Sequence, residues 1–440
     1  MGTFSEWRKL SVGLSELCIN TTLRCGQSFR WQNIPETGEW RCVLYGTLVS
    51  LRQDSEYLYY RTCQSKSPSI LPTPPASKLP SRAQSDTNDD SKDDHIVRVL
   101  KHYLNLSPNL TELYAQWSAQ DPNFKKKATQ FSGIRILRQD PWEALVSFIC
   151  SSNNNISRIS QMVEKICLNY GPFVAKVDGR AYHDFPTPEA LTGKDLEHQL
   201  RGLGFGYRAK YIYNTSVMVF KEEKGWLNSL CNPESPAYGL EAAVGDEMRP
   251  EGRQGYLDAH EKLLSLQGVG PKVADCVCLF GLGWGESVPV DTHVWQIAQR
   301  DYRFGKGSHK SLNKATSDAI ANHFRKLWGQ EAGWAHSVLF TADLRSFSDR
   351  LAATKKVDLS VKEDNDEDVK IKTEVTTTVT LAAVKEEPAL KEETGDIKLE
   401  DSESKLVPTV PRRKRKEVTD TLVLAAQTTE TRRVSKRLRQ

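Results

Sequence analysis

Two polar residues in the second half of the chain, Lys272 and Asp291, stand where they would do chemistry together. Lys272 follows Pro271, and proline at the first position of a helix costs no backbone hydrogen bond, so Lys272 is expected in a first helical turn. A lysine partly buried beside a helix N-terminus loses some of its ammonium form, and the free amine attacks an electrophilic carbon such as a sugar C1′ to form an imine. Asp291 is a candidate helix N-cap whose ionised carboxylate would stabilise positive charge or move a proton. A solvated lysine and a purely structural cap are the alternatives for each residue taken alone.

The segment before Lys272 predicts a helix–hairpin–helix, in which two helices meet at a turn through Gly268, Val269 and Gly270. The first N–H groups of a helix have no intrahelical partner, and the helix dipole makes that end positive. Gly268, Gly270 and Val273 are therefore expected to hold a phosphate without any basic side chain. An ordinary helical hairpin explains the same glycines, but the nearby Lys272 and Asp291 favour the phosphate-binding interpretation.

The composition indicates a soluble chain with a packed core. Its 440 residues are 38% hydrophobic and 26% charged, and the formal net charge of +4 is by itself too small to indicate a nucleic-acid partner. The nine cysteines are an odd number at scattered spacing, which favours a reducing compartment over a disulfide framework. The sequence contains no metal-site spacing, secretory signal or membrane-length apolar run, so no metal and no membrane partner are expected.

The order of patterns along the chain predicts an α+β fold. Residues 1–125 are expected to form a β-rich antiparallel domain, interrupted at 64–94 by a Ser-, Pro- and Asp-rich disordered insertion. Four short runs are the predicted strands: SFRW, EWRCVLYG, GTLVSLRQ and EYLYYRT. Residues 126–353 carry amphipathic helical patterns and are expected to form a helical domain in two parts. The polar stretch from about 221 to 254 is predicted to be a long loop.

Residues 354–440 are predicted to be a disordered tail with basic clusters. One cluster runs from Arg412 to Lys416, and another lies at the C-terminal end. Such clusters are typical of nuclear import signals or nucleic-acid arms, so a nuclear location is expected, with a mitochondrial fraction left open. A merely solvated tail is the alternative.

Four motifs, in this order, resemble the helix–hairpin–helix base-excision DNA glycosylases, and among them the eukaryotic 8-oxoguanine DNA glycosylase family. They are CGQSFRW, SFICSSNNNISRI, LGFGYRAKYI, and GVGPKVADC followed by VPVDTHVWQIAQR. The resemblance spans about Arg24 to Phe347 and leaves out the insertion and the tail. It implies an N-terminal sheet domain with a two-part helical core, acting as a monomer on duplex DNA that contains 8-oxoguanine opposite cytosine. It implies no cofactor, and it leaves open a structural cation held by carbonyls of the hairpin.

The resemblance assigns roles to residues of this chain. Lys272 would be the Schiff-base nucleophile and Asp291 its essential partner. The residues expected around the flipped base are Gly26, Cys276, His336 and Phe340. Gly26 would offer its carbonyl to the N7–H that 8-oxoguanine has and guanine lacks, and only glycine leaves the backbone open to such close approach. Cys276 and Phe340 would sandwich the base.

Further residues would hold the DNA around the extruded base. Asn153 would fill the gap that the base leaves, and Tyr207 would wedge into the stack. Arg158 and Arg208 would read the orphaned cytosine, whose acceptors suit guanidinium donors. His293 would contact a phosphate. A polar helix break at Asn153, core aromatics and solvated arginines are the alternatives for these residues.

His336 departs from the family pattern, in which glutamine is common at this position of AGWAHSVLF. A neutral histidine offers one donor and one acceptor at angles unlike those of an amide, which predicts altered or pH-sensitive base recognition. The predicted activity is that of a bifunctional DNA glycosylase and lyase, with β-elimination after base removal. Two alternatives stay open: a glycosylase for another damaged purine, and a non-catalytic module that binds damaged DNA.

Overall fold

The computed structural model of the protein describes residues 2–64, 90–305 and 311–347. The insertion predicted at 64–94 falls outside these residues only from 65 to 89, because Gln64 ends a strand and Asp90 begins a helix. For residues 65–89 the disordered insertion stays a prediction. The tail predicted at 354–440 lies entirely outside the described residues.

Five strands near the N-terminus form one antiparallel sheet in the order β1-β5-β4-β3-β2. They are β1 Arg8–Ser11, β2 Gln32–Ile34, β3 Glu39–Leu44, β4 Thr47–Gln53 and β5 Tyr57–Gln64. The predicted meander is confirmed for β3 to β5. The strands β2, which pairs with β3, and β1, which pairs with β5, were not predicted. The expected strand over SFRW was wrong, since β2 starts after Trp31. Phe29 is instead buried in the core of the helical part.

Helices make up most of the remaining described chain, as predicted. They are α1 Ile19–Thr22, α2 Asp90–Tyr103, α3 Leu110–Gln120, α4 Pro122–Ala128, α5 Pro141–Ser151, α6 Ile156–Tyr170, α7 Leu196–Gly202, α8 Arg208–Lys221, α9 Trp226–Ser229, α10 Gln254–Leu264, α11 Pro271–Phe280, α12 Thr292–Tyr302, α13 Lys314–Trp328 and α14 Ala332–Asp343. Within the described ranges, no helix combines the length and the apolar character needed to cross a bilayer. The stretch predicted as a loop from about 221 to 254 is largely irregular, apart from the short α9.

A second hairpin was not predicted. It consists of β6 Phe173–Val177 and β7 Arg180–His183, joined through Asp178 and Gly179, which both have positive φ. An Asp-Gly pair between alternating residues is a strong local hairpin signal, so the sequence did contain this information. The hairpin covers one face of the main sheet, where Val43 and Leu48 pack with Val174. The opposite face of the sheet is buried against α2.

Helices α5 and α11 lie at the centre of the helical core. Every residue of α5 from Pro141 to Cys150 is buried. The rings of Phe148 on α5 and Phe280 on α11 stack with centroids 5.3 Å apart. A Cβ on Gly281, just after α11, would lie 2.8 Å from the Cβ of Ala144, so this close approach requires glycine. The first turn of α11 is thereby fixed relative to the end of α5.

A buried arginine joins the N-terminal segments to the helical part. The Arg135 side chain is 1% exposed. Its guanidinium donates to the Glu16 carbonyl at 2.5 Å, the Glu16 carboxylate at 2.6 Å, the Asn105 carbonyl at 2.6 Å and the Pro108 carbonyl at 2.7 Å. One side chain therefore satisfies oxygens on two chain segments, at Glu16 and in the loop between α2 and α3.

Replacing Arg135 by Met should lower the free energy of unfolding by about 3–5 kcal/mol, because it leaves buried carbonyl oxygens without a donor and removes the cationic partner of the Glu16 carboxylate. Urea unfolding measures this as a lower midpoint. Arg201→Met is the matched control. The side chain of Arg201 is 47% exposed and pairs with Glu197 along one helix, so its loss should cost less than about 1 kcal/mol. Equal midpoints for the two variants would contradict the bridging role of Arg135.

Candidate active site

One pocket brings together the six residues predicted for catalysis and base binding. It lies where α11 and α14 meet the loop around Gly26. Those six lining residues are Gly26, Lys272, Cys276, Asp291, His336 and Phe340. The fold therefore assembles side chains from parts of the sequence as distant as Gly26 and Phe340. The pocket is also lined by residues that were not predicted, among them Gln27 and Phe148.

Lys272 is the second residue of α11 and is half-buried. Its Nζ donates to the Ser151 Oγ at 3.2 Å and lies 5.5 Å from the centroid of the Phe148 ring. The Ser151 hydroxyl itself donates to the Phe148 carbonyl at 2.7 Å, so only its lone pairs face the lysine. Sequence reasoning missed Ser151 as a contact of Lys272, although it stands at the polar break in SFICSSNNN. The Phe148 ring and the Ser151 hydroxyl, both on α5, therefore contact the Lys272 amino group.

Asp291 is the N-cap of α12, as predicted. Its Oδ1 accepts from the N–H groups of His293 at 2.9 Å and Val294 at 3.0 Å. Its Oδ2 has no hydrogen-bond partner in the described part of the chain. The cap fixes the carboxylate and leaves one oxygen for chemistry in the pocket. The same helix start places the exposed His293 ring edge-on to Phe340, with centroids 6.0 Å apart.

Cys276 and Gly26 shape the walls of the pocket. Cys276 is 3% exposed, and burial raises the pKa of its thiol to about 12, despite the opposing effect of Lys272. The thiol is therefore a neutral, polarisable wall. Gly26 has φ +90°, and a Cβ there would lie 3.0 Å from the Ile156 Cδ1 and 3.9 Å from the Phe340 Cε1. A larger residue at Gly26 would be strained and would crowd the pocket.

His336 is a buried polar group without a partner. It is 5% exposed, and neither ring nitrogen makes a hydrogen bond to another described residue. Burial lowers the pKa of the imidazole to about 4, although the Asp291 carboxylate and the Gly333 carbonyl act in the opposite direction. The Gly333 carbonyl lies near the ring but outside hydrogen-bonding geometry. The ring is therefore neutral at ordinary pH, and pH-sensitive recognition is not expected there.

The turn after α5 carries the predicted gap-filling residue. Asn153 is exposed and has φ +48°. The Tyr207 hydroxyl donates to the Ser152 carbonyl at 3.0 Å. Arg208, which is 4% exposed, donates to the carbonyls of Ser152 and Asn153, the latter at 3.0 Å, and stacks on Tyr207. The structure thus brings Asn153, Tyr207 and Arg208 together next to Ser151. Arg158 is exposed nearby, with Nη2 3.5 Å from the Gly204 carbonyl.

The helix–hairpin–helix is confirmed as α10, the turn and α11. Gly268 has φ +79°, and a Cβ there would lie 2.4 Å from the Tyr211 Cγ, so the turn packs tightly on α8. Gly270 is the N-cap of α11 and offers no side-chain acceptor to the first turn. The side chain of Val273 is buried beneath that turn. The N–H groups that begin α11 are therefore not capped by a side chain of the N-cap residue.

Two of the hairpin carbonyls already accept hydrogen bonds. The Gln267 carbonyl accepts from the Thr215 Oγ1 at 2.7 Å, and the Leu266 carbonyl accepts from the Val269 N–H at 3.3 Å. Across the described ranges, no group of three or more His, Cys, Asp or Glu side chains is arranged to hold a metal ion. A cation at the hairpin would therefore rely on the remaining backbone oxygens.

Comparison with known proteins agrees with this geometry. Residues 9–145 match the family model described as the N-terminal domain of 8-oxoguanine DNA glycosylase. Residues 146–328 match the HhH-GPD superfamily of base excision DNA repair proteins. The fold and the site thus define a helix–hairpin–helix protein of base excision repair. Within that superfamily, the chain belongs to the 8-oxoguanine DNA glycosylase family.

Individual relatives extend the match over most of the chain. An N-glycosylase/DNA lyase of Saccharomyces cerevisiae is 37% identical over 356 residues, covering 77% of this chain and 86% of the relative. The N-glycosylase/DNA lyase OGG1 of Arabidopsis thaliana is 34% identical, and the match covers 77% of this chain and 80% of the Arabidopsis protein. An 8-oxoguanine glycosylase/lyase of Clostridium acetobutylicum, solved with double-stranded DNA that carries cytosine opposite 8-oxoguanine, is 25% identical. Its TM-score is 0.56, over 77% of this chain and 97% of that chain.

The buried state of His336 predicts a pH-dependent stability. Its pKa rises from about 4 when folded to about 6.5 when unfolded, so the unfolded chain binds the extra proton between these values. The stabilisation is complete above about pH 6.5 and is lost as the pH falls towards about 4. From about pH 7.5 to about pH 5, the loss attributable to this residue should be about 2 kcal/mol.

Urea unfolding at both pH values measures this effect. His336→Gln should lose less stability on acidification than the wild type, because glutamine does not titrate. His198→Gln, at an exposed position, is the control and should retain the wild-type pH dependence. The same pH dependence in His336→Gln and the wild type would contradict a buried neutral imidazole.

Proposed function

We propose that this chain is a bifunctional DNA glycosylase and lyase that removes 8-oxoguanine opposite cytosine, with Lys272 as its nucleophile. The observation that carries the proposal is the shared pocket, in which Lys272 and Asp291 stand beside a neutral, largely apolar site. Among the four residues predicted to bind the base, the polar character comes mainly from the ring edge of His336 and the backbone of Gly26. Such a pocket suits a flat heterocycle attached to a sugar.

The first chemical step is displacement of the base. The Lys272 amine attacks C1′ of the flipped nucleotide, the bond from C1′ to the base nitrogen breaks, and the base leaves with a proton. Positive charge develops on the sugar during this step, and the fixed carboxylate of Asp291 stabilises it. The hydroxyl of Ser151 accepts from Nζ and cannot donate to it, since its proton is held by the Phe148 carbonyl. Ser151 therefore does not compete for the lone pair of the deprotonated amine.

The second step is strand cleavage. After the sugar ring opens, Lys272 is joined to C1′ as an imine, which acidifies the C2′ proton. Removal of that proton and departure of the 3′ phosphate constitute β-elimination. Asp291, or the released base, would carry the proton. No redox change occurs, so these steps require no redox cofactor.

Base recognition would use a single backbone contact and two walls. The Gly26 carbonyl would accept from the N7–H that distinguishes 8-oxoguanine from guanine. Cys276 and Phe340 would bracket the base, and the neutral thiol suits an apolar face. His336 would supply one donor or one acceptor to the edge of the base, since its two ring nitrogens have no partner within the described chain.

Opening of the duplex would use the cluster at the end of α5. Asn153 would fill the vacated position, Tyr207 would wedge into the stack, and Arg158 would approach the orphaned cytosine. Arg208 would have to exchange the carbonyls of Ser152 and Asn153 for the cytosine acceptors, or read them with its remaining donors. Recognition of cytosine is therefore coupled in the proposal to the shape of this turn.

The hairpin would bind the DNA backbone. The N–H groups at the start of α11, around Gly270 and Val273, would bind a phosphate, with Gly268 shaping the turn. His293 would contact a second phosphate. The pocket and these elements all lie within one chain, which supports action as a monomer. A structural cation on hairpin carbonyls and nuclear import through the basic clusters of the tail are further parts of the proposal.

The alternatives are less well supported. The relatives are named as N-glycosylase/DNA lyases, which favours an enzyme over a non-catalytic module that binds damaged DNA. The reactive lysine and the capped aspartate in one pocket favour it as well. Activity on another damaged purine is distinguished by the choice of substrate in the tests below.

Replacement of Lys272 by Gln should abolish covalent capture of DNA. Borohydride reduces the imine between Lys272 and C1′ to a stable amine, so the wild type should form a protein–DNA adduct with a duplex containing 8-oxoguanine opposite cytosine. Lys262→Gln, at an exposed position on α10, is the control and should form the adduct normally. Absence of an adduct for the wild type with any damaged duplex would overturn the lyase assignment.

Replacement of His336 by Gln should change base preference. An amide presents a donor and an acceptor side by side, unlike an imidazole. The relative rates of excision from 8-oxoguanine:C, 8-oxoguanine:A and formamidopyrimidine:C duplexes should therefore shift by about tenfold for at least one pair of substrates. This factor corresponds to the free energy of about one hydrogen bond. Single-turnover excision measures this, and trapping on a preformed abasic site should remain normal. Unchanged preference and affinity would show that His336 does not contact the base.

A further inference from the structure

The loop that forms one wall of the pocket contains Gly26, whose backbone has a positive φ. Its φ of +90° is accessible to glycine, and the Ile156 side chain crowds it from one side. Recognition through one carbonyl oxygen requires that this oxygen be held at a fixed distance and angle. Loops are commonly the least ordered parts of a fold, so something must hold this one in place. The neighbouring hydrogen bonds identify what does so.

The first anchor is the side chain of Gln27. It is 2% exposed, its Nε2 donates to the Arg135 carbonyl at 2.8 Å, and its Oε1 accepts from the Leu137 N–H at 2.9 Å. The amide therefore pairs with the extended segment 135–137 as a neighbouring peptide would. This contact ties the loop to one stretch of chain, but it does not set the position of the loop relative to α11.

The second anchor is Gln139, which is also 2% exposed. Its side-chain Nε2 donates to the Gln27 backbone carbonyl at 2.7 Å. Its own backbone N–H donates to the carbonyl of Phe280, the last residue of α11, at 2.9 Å. The next residue back, Arg138, donates to the Gly281 carbonyl. One residue thus connects the loop that carries Gly26 with the helix that carries Lys272.

We propose that Gln139 is a positioning residue for lesion recognition, because it fixes the Gly26 loop relative to the reaction helix. The inference rests on the proposed function, in which Gly26 reads the base and Lys272 attacks the sugar. Without the amide, the Gln27 carbonyl would be buried without its donor, and the loop would shift to find another partner or water. The Gly26 oxygen would then move relative to a base whose sugar is held by α11.

The two activities of the proposed enzyme distinguish a defect in base recognition from general damage to the fold. Excision of 8-oxoguanine requires both the Gly26 oxygen and Lys272. β-Elimination at a preformed abasic site requires Lys272 but no base contact. A defect in positioning of the loop should therefore lower the first activity and spare the second, whereas general damage to the fold should lower both.

The test uses Gln139→Met in the full chain, which keeps the length of the side chain and removes the donor. Single-turnover excision from 8-oxoguanine:C should fall about tenfold or more. Cleavage of an abasic duplex should stay within about twofold, and the preference in binding for the lesion over undamaged duplex should fall in parallel with excision. Gln139→Asn, which keeps the amide but shortens its reach, should show the same pattern and provides a second variant if the first folds poorly.

Gln53→Met is the matched control. Gln53 makes the same kind of bridge in the N-terminal sheet domain: its Nε2 donates to the Leu17 carbonyl at 2.6 Å, and its Oε1 accepts from the Ile19 N–H at 3.0 Å. Its loss should cost comparable stability and leave the ratio of the two activities unchanged. A similar change of ratio in this variant would mean that the effect is a general consequence of lost stability.

Parallel loss of both activities in Gln139→Met, or no loss of either, would overturn the positioning role. Gly26→Ala tests the underlying function separately. If excision survives in Gly26→Ala, recognition through Gly26 is wrong and the inference about Gln139 is overturned with it. If excision is lost in Gly26→Ala but retained in both Gln139 variants, recognition by Gly26 stands and only the role of Gln139 is overturned.

Discussion

The packing of α5 against α11 is the contact on which the pocket depends. The stacked rings of Phe148 and Phe280 and the close approach at Gly281 leave little freedom between the two helices. Because α5 ends at Ser151 and α11 begins one residue before Lys272, this packing brings the serine hydroxyl to the lysine head. The buried middle of the helix pair thus determines the position of two polar groups at its edge.

The same geometry creates two polar regions, the turn after α5 and the pocket, which differ in whether their polar groups already have hydrogen-bond partners. At the end of α5, the carbonyls of Ser152 and Asn153 are satisfied by Arg208, so any partner must compete with a contact already made. In the pocket, His336 is buried and neither ring nitrogen has a hydrogen-bond partner among the described residues, a state that natural proteins rarely tolerate without a functional reason. On binding a partner, the turn after α5 would have to give up the hydrogen bonds of Arg208, whereas the pocket would gain hydrogen bonds at His336. In the proposed function, the two unpaired nitrogens of His336 would therefore stand where the base enters.

The sequence predicted the parts of this arrangement that depend on local chemistry. Pro271 after glycines indicated a helix start, and Asp291 before Thr292 indicated a cap, because both signals act within a few residues. Family motifs then assigned the remaining residues of the pocket. The contact of Ser151 with Lys272 was missed because it spans distant segments, and no local period encodes it. The predicted strand over 28–31 failed for a related reason, since tertiary burial of Phe29 in the helical core overrode its strand-like pattern.

If the Gly26 loop discriminates between bases as proposed, long-range hydrogen bonds would make this possible. A difference of one N–H between two purines amounts to about one hydrogen bond, and its value falls steeply when the acceptor is free to move. Gln27 and Gln139 remove that freedom with buried amides that bond to backbone groups on both sides of the loop. Gln139 also bonds to the end of α11, so in the proposed function the oxygen that reads the base and the amine that attacks the sugar would be held in one hydrogen-bonded frame. Selectivity and reactivity would then depend on the same core, although no single stretch of sequence contains both.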